Sequence, residues 1–469
     1  MQRLQRLSGL DASFLYLETS TQPLHVCSVL ELDAATIPGG YSFARLRDDL
    51  ALRIAAIPTF RERLANSFLN LDHPVWVEDE DFDVERHVHR VGLPAPGGRV
   101  ELAEICGHLA SLPLDRRHPL WEMWVIEGVD GTDARDGGRL AVMTKVHHAA
   151  VDGVTGANLM SQLCSTQPAA PPPEPVAASA AANPLRIALG GLGRFASRPL
   201  QLATSVLPST VSTVVDSVRR AAGGRAMAAP FAAPQTPFNA TITAHRNVAF
   251  AELDLADIKT VKNRFGVKVN DVVMALVSGV LRRYLLDLRG PDDLPEASLV
   301  AMIPVSVHDR SDRPGRNQVS GMFASLHTDI ADPGERLRAI CAANTAAKEH
   351  SSAIGATLLQ DWSQFAGPAV FGVAMRVYAR SSLTQRPVHN LVVSNVPGPQ
   401  VPLYFLGAEV DAMYPLGPIF HGAGLNITVL SLNGKLDVGL ISCPELLPDL
   451  WELANGFPRE MADLLAAPA

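Results

Sequence analysis

The chain is short of most features that would declare a function at first sight. No uninterrupted apolar run approaches the ~20 residues a membrane-spanning helix needs. The opening segment, MQRLQRLSGLDASFLYLET, lacks the apolar stretch and small-residue cleavage site of a secretory leader, so a cytoplasmic protein is expected. There are only five cysteines (Cys27, Cys106, Cys164, Cys341 and Cys443), odd in number, far apart and without paired metal spacing. Buried reduced thiols are expected from them, and no metal centre. A basic excess is missing as well: 40 Lys and Arg stand against 48 Asp and Glu, for a formal charge of -8 and a pI near 6.0. That removes the usual ground for a nucleic-acid partner, whose phosphates call for a basic surface. There is no Walker loop and no GxSxG nucleophile elbow. Gly191-Leu192-Gly193-Arg194-Phe195-Ala196 imitates a dinucleotide fingerprint but follows no strand pattern, and it is set aside.

What is present is apolar and long. With 469 residues, 47% hydrophobic and 19% charged, the chain can bury a large interior, and length alone suggests roughly two to three domains. The mean hydropathy of +0.12 is high for a protein without spanning segments. The break lies in the middle. From Pro168 to Ala182 twelve of fifteen residues are proline or alanine, which reads as an extended connector, and Pro230, Pro234 and Pro237 form a second cluster. Between them, residues 183–227 carry Arg186, Arg194, Arg198, Arg219, Arg220 and Arg225 against a single acid, Asp216. Such a stretch suits either an anionic lipid surface or a crossover helix packed on its own domains; Pro199 and Pro208 argue against one long surface helix.

The flanks mix helices and strands. Helical patterns cover 41–56, 100–112 and 270–286; strand patterns cover 121–128, 139–147, 249–255, 299–307, 391–394, 425–432 and 435–442. Asn433-Gly434 between the last two is a strong hairpin signal. The expected fold is α/β (α+β), with an N-terminal domain over 1–167, a connector over 168–240 and a C-terminal domain over 241–469.

Chemistry concentrates at His147-His148-Ala149-Ala150-Val151-Asp152-Gly153, where the 139–147 strand ends. Histidine is the side chain whose ordinary pKa, ~6.5, leaves a neutral base at pH 7. Successive strand residues face opposite ways, so the two rings should divide their tasks: one faces a cleft, the other braces the core. Opposed rings also make shared metal ligation awkward. Asp152 lies past the turn and could pin local geometry, while Gly153 permits the backbone turn. A satisfied pair of core histidines is the ordinary reading of His-His at such a place. The complete order of the seven residues raises it above that.

That order resembles the HHxxxDG motif of the CoA-dependent acyltransferase superfamily. Leu7-Ser8-Gly9-Leu10-Asp11-Ala12-Ser13-Phe14, Pro119-Leu120-Trp121, Asn270-Asp271 and Ser394-Asn395-Val396-Pro397-Gly398-Pro399 together look like the bacterial wax ester synthase/diacylglycerol acyltransferase family. The resemblance runs from residue 7 to beyond residue 440 and lapses over about 168–240. It implies two chloramphenicol acetyltransferase-like domains joined by the crossover, and transfer of a long-chain acyl group from acyl-CoA to diacylglycerol or a fatty alcohol. It makes His148 the general base and His147 its partner in the motif. Asp152 becomes a structural aspartate, with Gly153, Asn270 and Asp271 as active-site support. Asparagine is also a good N-cap and Asp271 suits a first helical turn, so capping alone competes with a role at the catalytic centre. Pro119-Leu120-Trp121 reads as a strand start with a buried tryptophan. No cofactor is implied beyond acyl-CoA as co-substrate. Residues that hold CoA are not identified, although Lys259, Lys262, Arg264 and Lys268 form a basic cluster that could meet phosphate or simply face solvent. Insoluble products imply peripheral contact with a membrane or lipid droplet, with the connector as the candidate surface. Two alternatives stay open: an acyltransferase of the same fold acting on another lipid or polyketide alcohol, and a non-catalytic lipid-binding protein.

Overall fold

The computed structural model describes residues 5–66, 70, 72–151, 163–177, 185, 187–191, 193, 233–289, 294–306, 319–354, 377, 381 and 387–468. Among these residues two large sheets carry the fold. The first has strand order β5 (Val88–Gly92), β6 (Trp121–Val129), β7 (Arg139–His147), β2 (His25–Asp33), β14 (Ala408–Leu416), β13 (Tyr404–Phe405) and β8 (Cys164–Ser165). The second runs β11 (Val319–Ser325), β10 (Val300–Ser306), β12 (Leu391–Pro397), β15 (Leu425–Leu432), β16 (Lys435–Ser442) and β9 (Asn247–Asp254). A small third sheet joins β1 (Gln5–Arg6), β4 (Val75–Glu78) and β3 (Glu62–Ala65). This is the mixed α/β arrangement expected, and the strand and helix patterns fall within a few residues of the observed bounds.

The hairpin forms at the expected turn. Leu425–Leu432 pairs antiparallel with Lys435–Ser442, and both central residues, Asn433 and Gly434, take positive φ. That is the turn conformation whose twist matches a right-twisted strand pair.

One feature departs from a simple two-domain division. Residues 404–416 lie well past the expected boundary at 241, yet β14 pairs antiparallel with β2 and extends the sheet of the first half. Sequence periodicity shows that a segment is a strand but not which sheet it completes. Beside β14 the two sheets come close. A Cβ on Gly439 of β16 would sit 2.0 Å from the Pro415 carbonyl oxygen of β14, so only hydrogen fits there.

Among the described residues three large apolar clusters carry the core, beside a small one at Val75, Val77 and Ile187. One packs the helices Val269–Arg289 and Leu450–Ala466 on the second sheet, with Val273, Leu281, Phe457 and Leu464 buried against Ile427 and Val438. Another packs helices α1 (Gly9–Leu17) and α2 (Phe43–Ile54) on one face of the first sheet through Leu15, Leu50, Leu140 and Val142. A third lies between α3 (Arg99–Ser111), the opposite face of the first sheet and β9, through Cys106, Met143 and Phe250. Along β7, therefore, Leu140 and Val142 belong to one core and Ala141 and Met143 to another. The alternation read from the sequence is real, and it reaches the histidine pair with its two faces already assigned.

The proline-alanine connector lies extended along the first half as far as it is described. Val176 donates its amide to the Ala55 carbonyl at 3.0 Å, while Arg53 and Arg61 donate to the carbonyls of Ala170 and Val176. Most of residues 183–227, including the run of arginines, lies outside the described residues.

Candidate active site

β7 delivers the two histidines to the end of the first sheet and separates them. The His147 amide donates to the Leu120 carbonyl at 2.9 Å, and the His148 amide donates to the Leu24 carbonyl at 2.9 Å. The residues that lead into the two neighbouring strands thus hold the pair by its backbone. His147 is fully buried, whereas His148 is half-buried. The His147 Nδ1 accepts the Ala149 amide at 3.0 Å, so the neutral ring keeps its proton on Nε2. Burial pushes its pKa down to about 4, against the pull of a nearby carboxylate. His147 is therefore a neutral brace at pH 7. The His148 ring instead stacks on Phe14, with centroids 3.9 Å apart and planes 14° from parallel.

The carboxylate beside His147 is Glu18, which the sequence did not single out. Its Oε1 lies 3.5 Å from His147 Nε2 and 3.3 Å from His25 Nε2, and it accepts the Leu24 amide at 3.3 Å. Its Oε2 is gripped by the Arg116 guanidinium. Burial would raise the Glu18 pKa, but the two histidines and Arg116 outweigh it and hold the carboxyl well below its usual range. Glu18 is thus an anion sunk beside two neutral rings, joined to Arg116. Nothing in its local pattern marks it, because a glutamate closing an apolar helix is ordinary until the fold brings residues 25 and 147 against it.

The opening motif turns out to be a helix built to end at this place. Ser8 caps α1: its Oγ accepts the Asp11 amide at 3.1 Å, and Asp11 Oδ2 accepts the Ser8 amide at 3.2 Å. This reciprocal pair satisfies two of the first-turn donors. The helix then presents Phe14 to His148 and leaves Glu18 at its C-terminal cap. In Pro119-Leu120-Trp121, Leu120 receives His147, and Trp121 is buried with Nε1 donating to the Phe60 carbonyl at 2.7 Å. That is the buried tryptophan at a strand start which the pattern suggested.

Asn270 and Asp271 open the helix Val269–Arg289, but Asn270 is not its cap. Lys268 occupies that position: its amide donates to Asp271 Oδ2 at 3.0 Å, and its carbonyl accepts the amides of Asp271 and Val272. The chain enters the helix earlier than the residue types suggested, so capping falls to Asp271. Asp271 Oδ1 also accepts Asn344 Nδ2 at 2.8 Å. Asn270 is left to meet Asn395, whose Nδ2 donates to its Oδ1 at 3.5 Å. Two motifs 125 residues apart therefore touch, through an asparagine that had no assigned partner.

Asp152 and Gly153 lie outside the described residues. Of the basic cluster, Lys259, Arg264 and Lys268 are exposed. Arg264 binds the carbonyls of Leu465 and Ala467 at the end of the last helix, and Lys262 Nζ lies 3.3 Å from Asn263 Oδ1. Among the described residues no group of His, Cys, Asp or Glu is arranged to hold a metal ion, and no helix is long and apolar enough to cross a membrane.

Two large sheets, the first of them extended by a strand from the second half of the chain, form a fold that condensation domains also have. The first condensation domain of the calcium-dependent antibiotic synthetase, solved with a substrate analogue, matches over 100% of this chain and 98% of its own, with a TM-score of 0.59 and 15% identity; that likeness shows the fold. The wax ester synthase/diacylglycerol acyltransferase from Marinobacter aquaeolei VT8 matches with a TM-score of 0.70 and 29% identity over 98% of both chains. A Mycobacterium tuberculosis protein named "Putative diacyglycerol O-acyltransferase Rv1760" is 58% identical over 98% of this chain and 90% of its own. The wax ester synthase/diacylglycerol acyltransferase catalytic-domain model matches residues 7–273, and the C-terminal-domain model of the same family matches residues 316–465. The chain belongs to the wax ester synthase/diacylglycerol acyltransferase family.

Proposed function

We propose that this protein transfers a long-chain acyl group from acyl-CoA to the free hydroxyl of diacylglycerol, giving triacylglycerol, and that a fatty alcohol can take the acceptor's place to give a wax ester. The observation that carries the reading is the division of labour in the histidine pair: His147 buried and spent on its own loop, His148 held by backbone and stack with its ring half-buried.

In this reading His148 takes the proton of the acceptor hydroxyl as that oxygen attacks the thioester carbonyl carbon. The tetrahedral intermediate collapses with cleavage of the carbon–sulfur bond. The proton passes from His148 to the departing CoA thiolate, leaving ester and free thiol. Atoms and charge balance with acyl-CoA and alcohol alone, and no acyl-enzyme forms. General-base catalysis at such a position supplies ~10²–10⁴ of rate; the rest comes from holding two long substrates together and from stabilising the oxyanion. In the same reading Asp152 is a structural aspartate, and Gly153, Asn270 and Asp271 support the active site. The esters are insoluble in water, so the enzyme works at a membrane or lipid-droplet surface, and the arginine-rich 183–227 stretch supports contact there.

The test supplies purified protein with palmitoyl-CoA and either dipalmitoylglycerol or hexadecanol, and quantifies both esters and free CoA alongside His148→Ala. Ester that disappears in the variant is the expected result, and the product ratio names the preferred acceptor. CoA release without ester would point to another lipid or polyketide alcohol. Lipid binding without turnover in the folded parent would replace the reading by a binding protein.

A further inference from the structure

Three supports of the histidine pair come from one short stretch of chain: Phe14 against the His148 ring, Glu18 beside His147, and the Leu24 carbonyl on the His148 amide. That stretch is itself held by residues from the other half of the molecule. Gln22 is fully buried; its Nε2 donates to the Leu17 carbonyl at 3.1 Å, and its Oε1 accepts the His421 amide at 2.9 Å. Arg246 Nη2 donates to the Thr21 carbonyl at 3.0 Å, and Thr21 Oγ1 lies 3.4 Å from His421 Nε2. His421 sits between β14 and β15, in a turn bound to the segment that enters the second sheet: the Gly422 amide donates to Ala240, and Asn239 Nδ2 donates to the Gly422 carbonyl at 2.7 Å.

We infer that Gln22 is a positioning residue for acyl transfer, clasped by the His421 amide so that the placement of one half relative to the other is passed to the base. The inference rests on the proposed role of His148. A primary amide suits the task because it donates on one side and accepts on the other without charge. One face of Gln22 fixes the end of α1, which carries Phe14; the other fixes the turn of the opposite half. A base acts with its nitrogen ~2.6–3.2 Å from the atom that bears the proton, and a misplacement of about 1 Å can cost ~10²-fold in rate. A clasp this close to Glu18 and Leu24 therefore governs turnover and leaves affinity for the distant parts of acyl-CoA alone.

Gln22→Met keeps the volume and removes both bonds. In the full-length protein its kcat for ester formation should fall about tenfold or more, with the KM for palmitoyl-CoA within twofold of the parent. The ¹⁵N-histidine resonances of His147 and His148, assigned by their loss in single variants, should move. Gln22→Glu gives the sharper signature: its ionised carboxylate cannot donate to the Leu17 carbonyl, but the protonated acid can. Its activity relative to the parent should rise as pH is lowered from 8 to about 5. Parent-like kcat and parent-like histidine resonances in folded Gln22→Met would overturn the inference. Should that variant fail to fold, a Gln22→Glu ratio flat across pH overturns it. If the parent makes no ester, the proposed reaction fails, and the histidine resonances alone decide the clasp.

Discussion

The imidazole of His148 lies on the phenyl ring of Phe14, 3.9 Å between centroids and 14° from parallel. Two residues 134 positions apart are thereby locked face to face, one from the first helix and one from the end of β7. Stacked aromatic pairs are worth ~0.5–1.5 kcal/mol beyond their buried area. The same contact restricts rotation of the ring, and a base must point at its substrate to act.

Phe14→Leu keeps an apolar side chain but loses the flat face. The expected outcome is a drop in kcat of about tenfold with little change in KM for acyl-CoA, because orientation is lost while the binding surface survives. Steady-state kinetics on the purified variant checks it; a loss confined to KM would contradict the orienting role.

Stability should fall as the solution is acidified from pH 7 to pH 5, and Glu18 should not be the reason. His147 and His421 are both held down to about 4 by burial. The unfolded chain binds their protons below ~6.5 while the folded protein refuses them until about 4. Each histidine therefore makes stability rise with pH through that window, by ~1.4 kcal/mol per pH unit. Glu18 is depressed, so its contribution is complete above its unfolded value of ~4.3 and is lost only below it. Thermal melts of parent and Glu18→Gln should show a constant gap at pH 7 and pH 5 that narrows below about pH 4. A gap that has already closed by pH 5 would mean that Glu18 is not an anion in the folded protein.

Asp271 and Asn270 should separate under mutation. Asp271→Ala removes the acceptor for the Lys268 amide and leaves Asn344 Nδ2 without its partner in a buried place. A lost cap costs ~0.5–2 kcal/mol and a stranded buried donor ~1–3 kcal/mol, so urea unfolding should shift clearly. Asn270→Ala gives up one long bond to Asn395. Its stability should stay near that of the parent while kcat falls. Equal destabilisation by the two would place Asn270 in the framework with Asp271.

Much of this was legible in the chain. Alternation along 139–147 placed the two histidines on opposite faces, and Leu140 with Val142 against Ala141 with Met143 shows the same division in the cores. Asn433-Gly434 named its own turn, because few residue pairs tolerate two positive φ angles in succession. The cap of the 269–289 helix was misplaced because residue type ranks capping candidates, and the point where the backbone turns in is set by what the helix packs against. Asn344 was silent and the partner of Asn395 was not legible, since a polar residue in a helix or strand discloses no partner until another element arrives.

What the sequence determined by itself depends on near neighbours: strand and helix periods, the hairpin, and the motif that places a base at a strand end. The tertiary structure alone decided that residues 404–416 complete the first sheet, that Glu18 is sunk between His25 and His147, and that Gln22 is clasped from the opposite half. The physical reason lies in the range of the interactions. Backbone sterics and side-chain alternation act over a few residues and leave a pattern in the chain, whereas hydrogen bonds and desolvation are satisfied by whichever groups the packed core brings together.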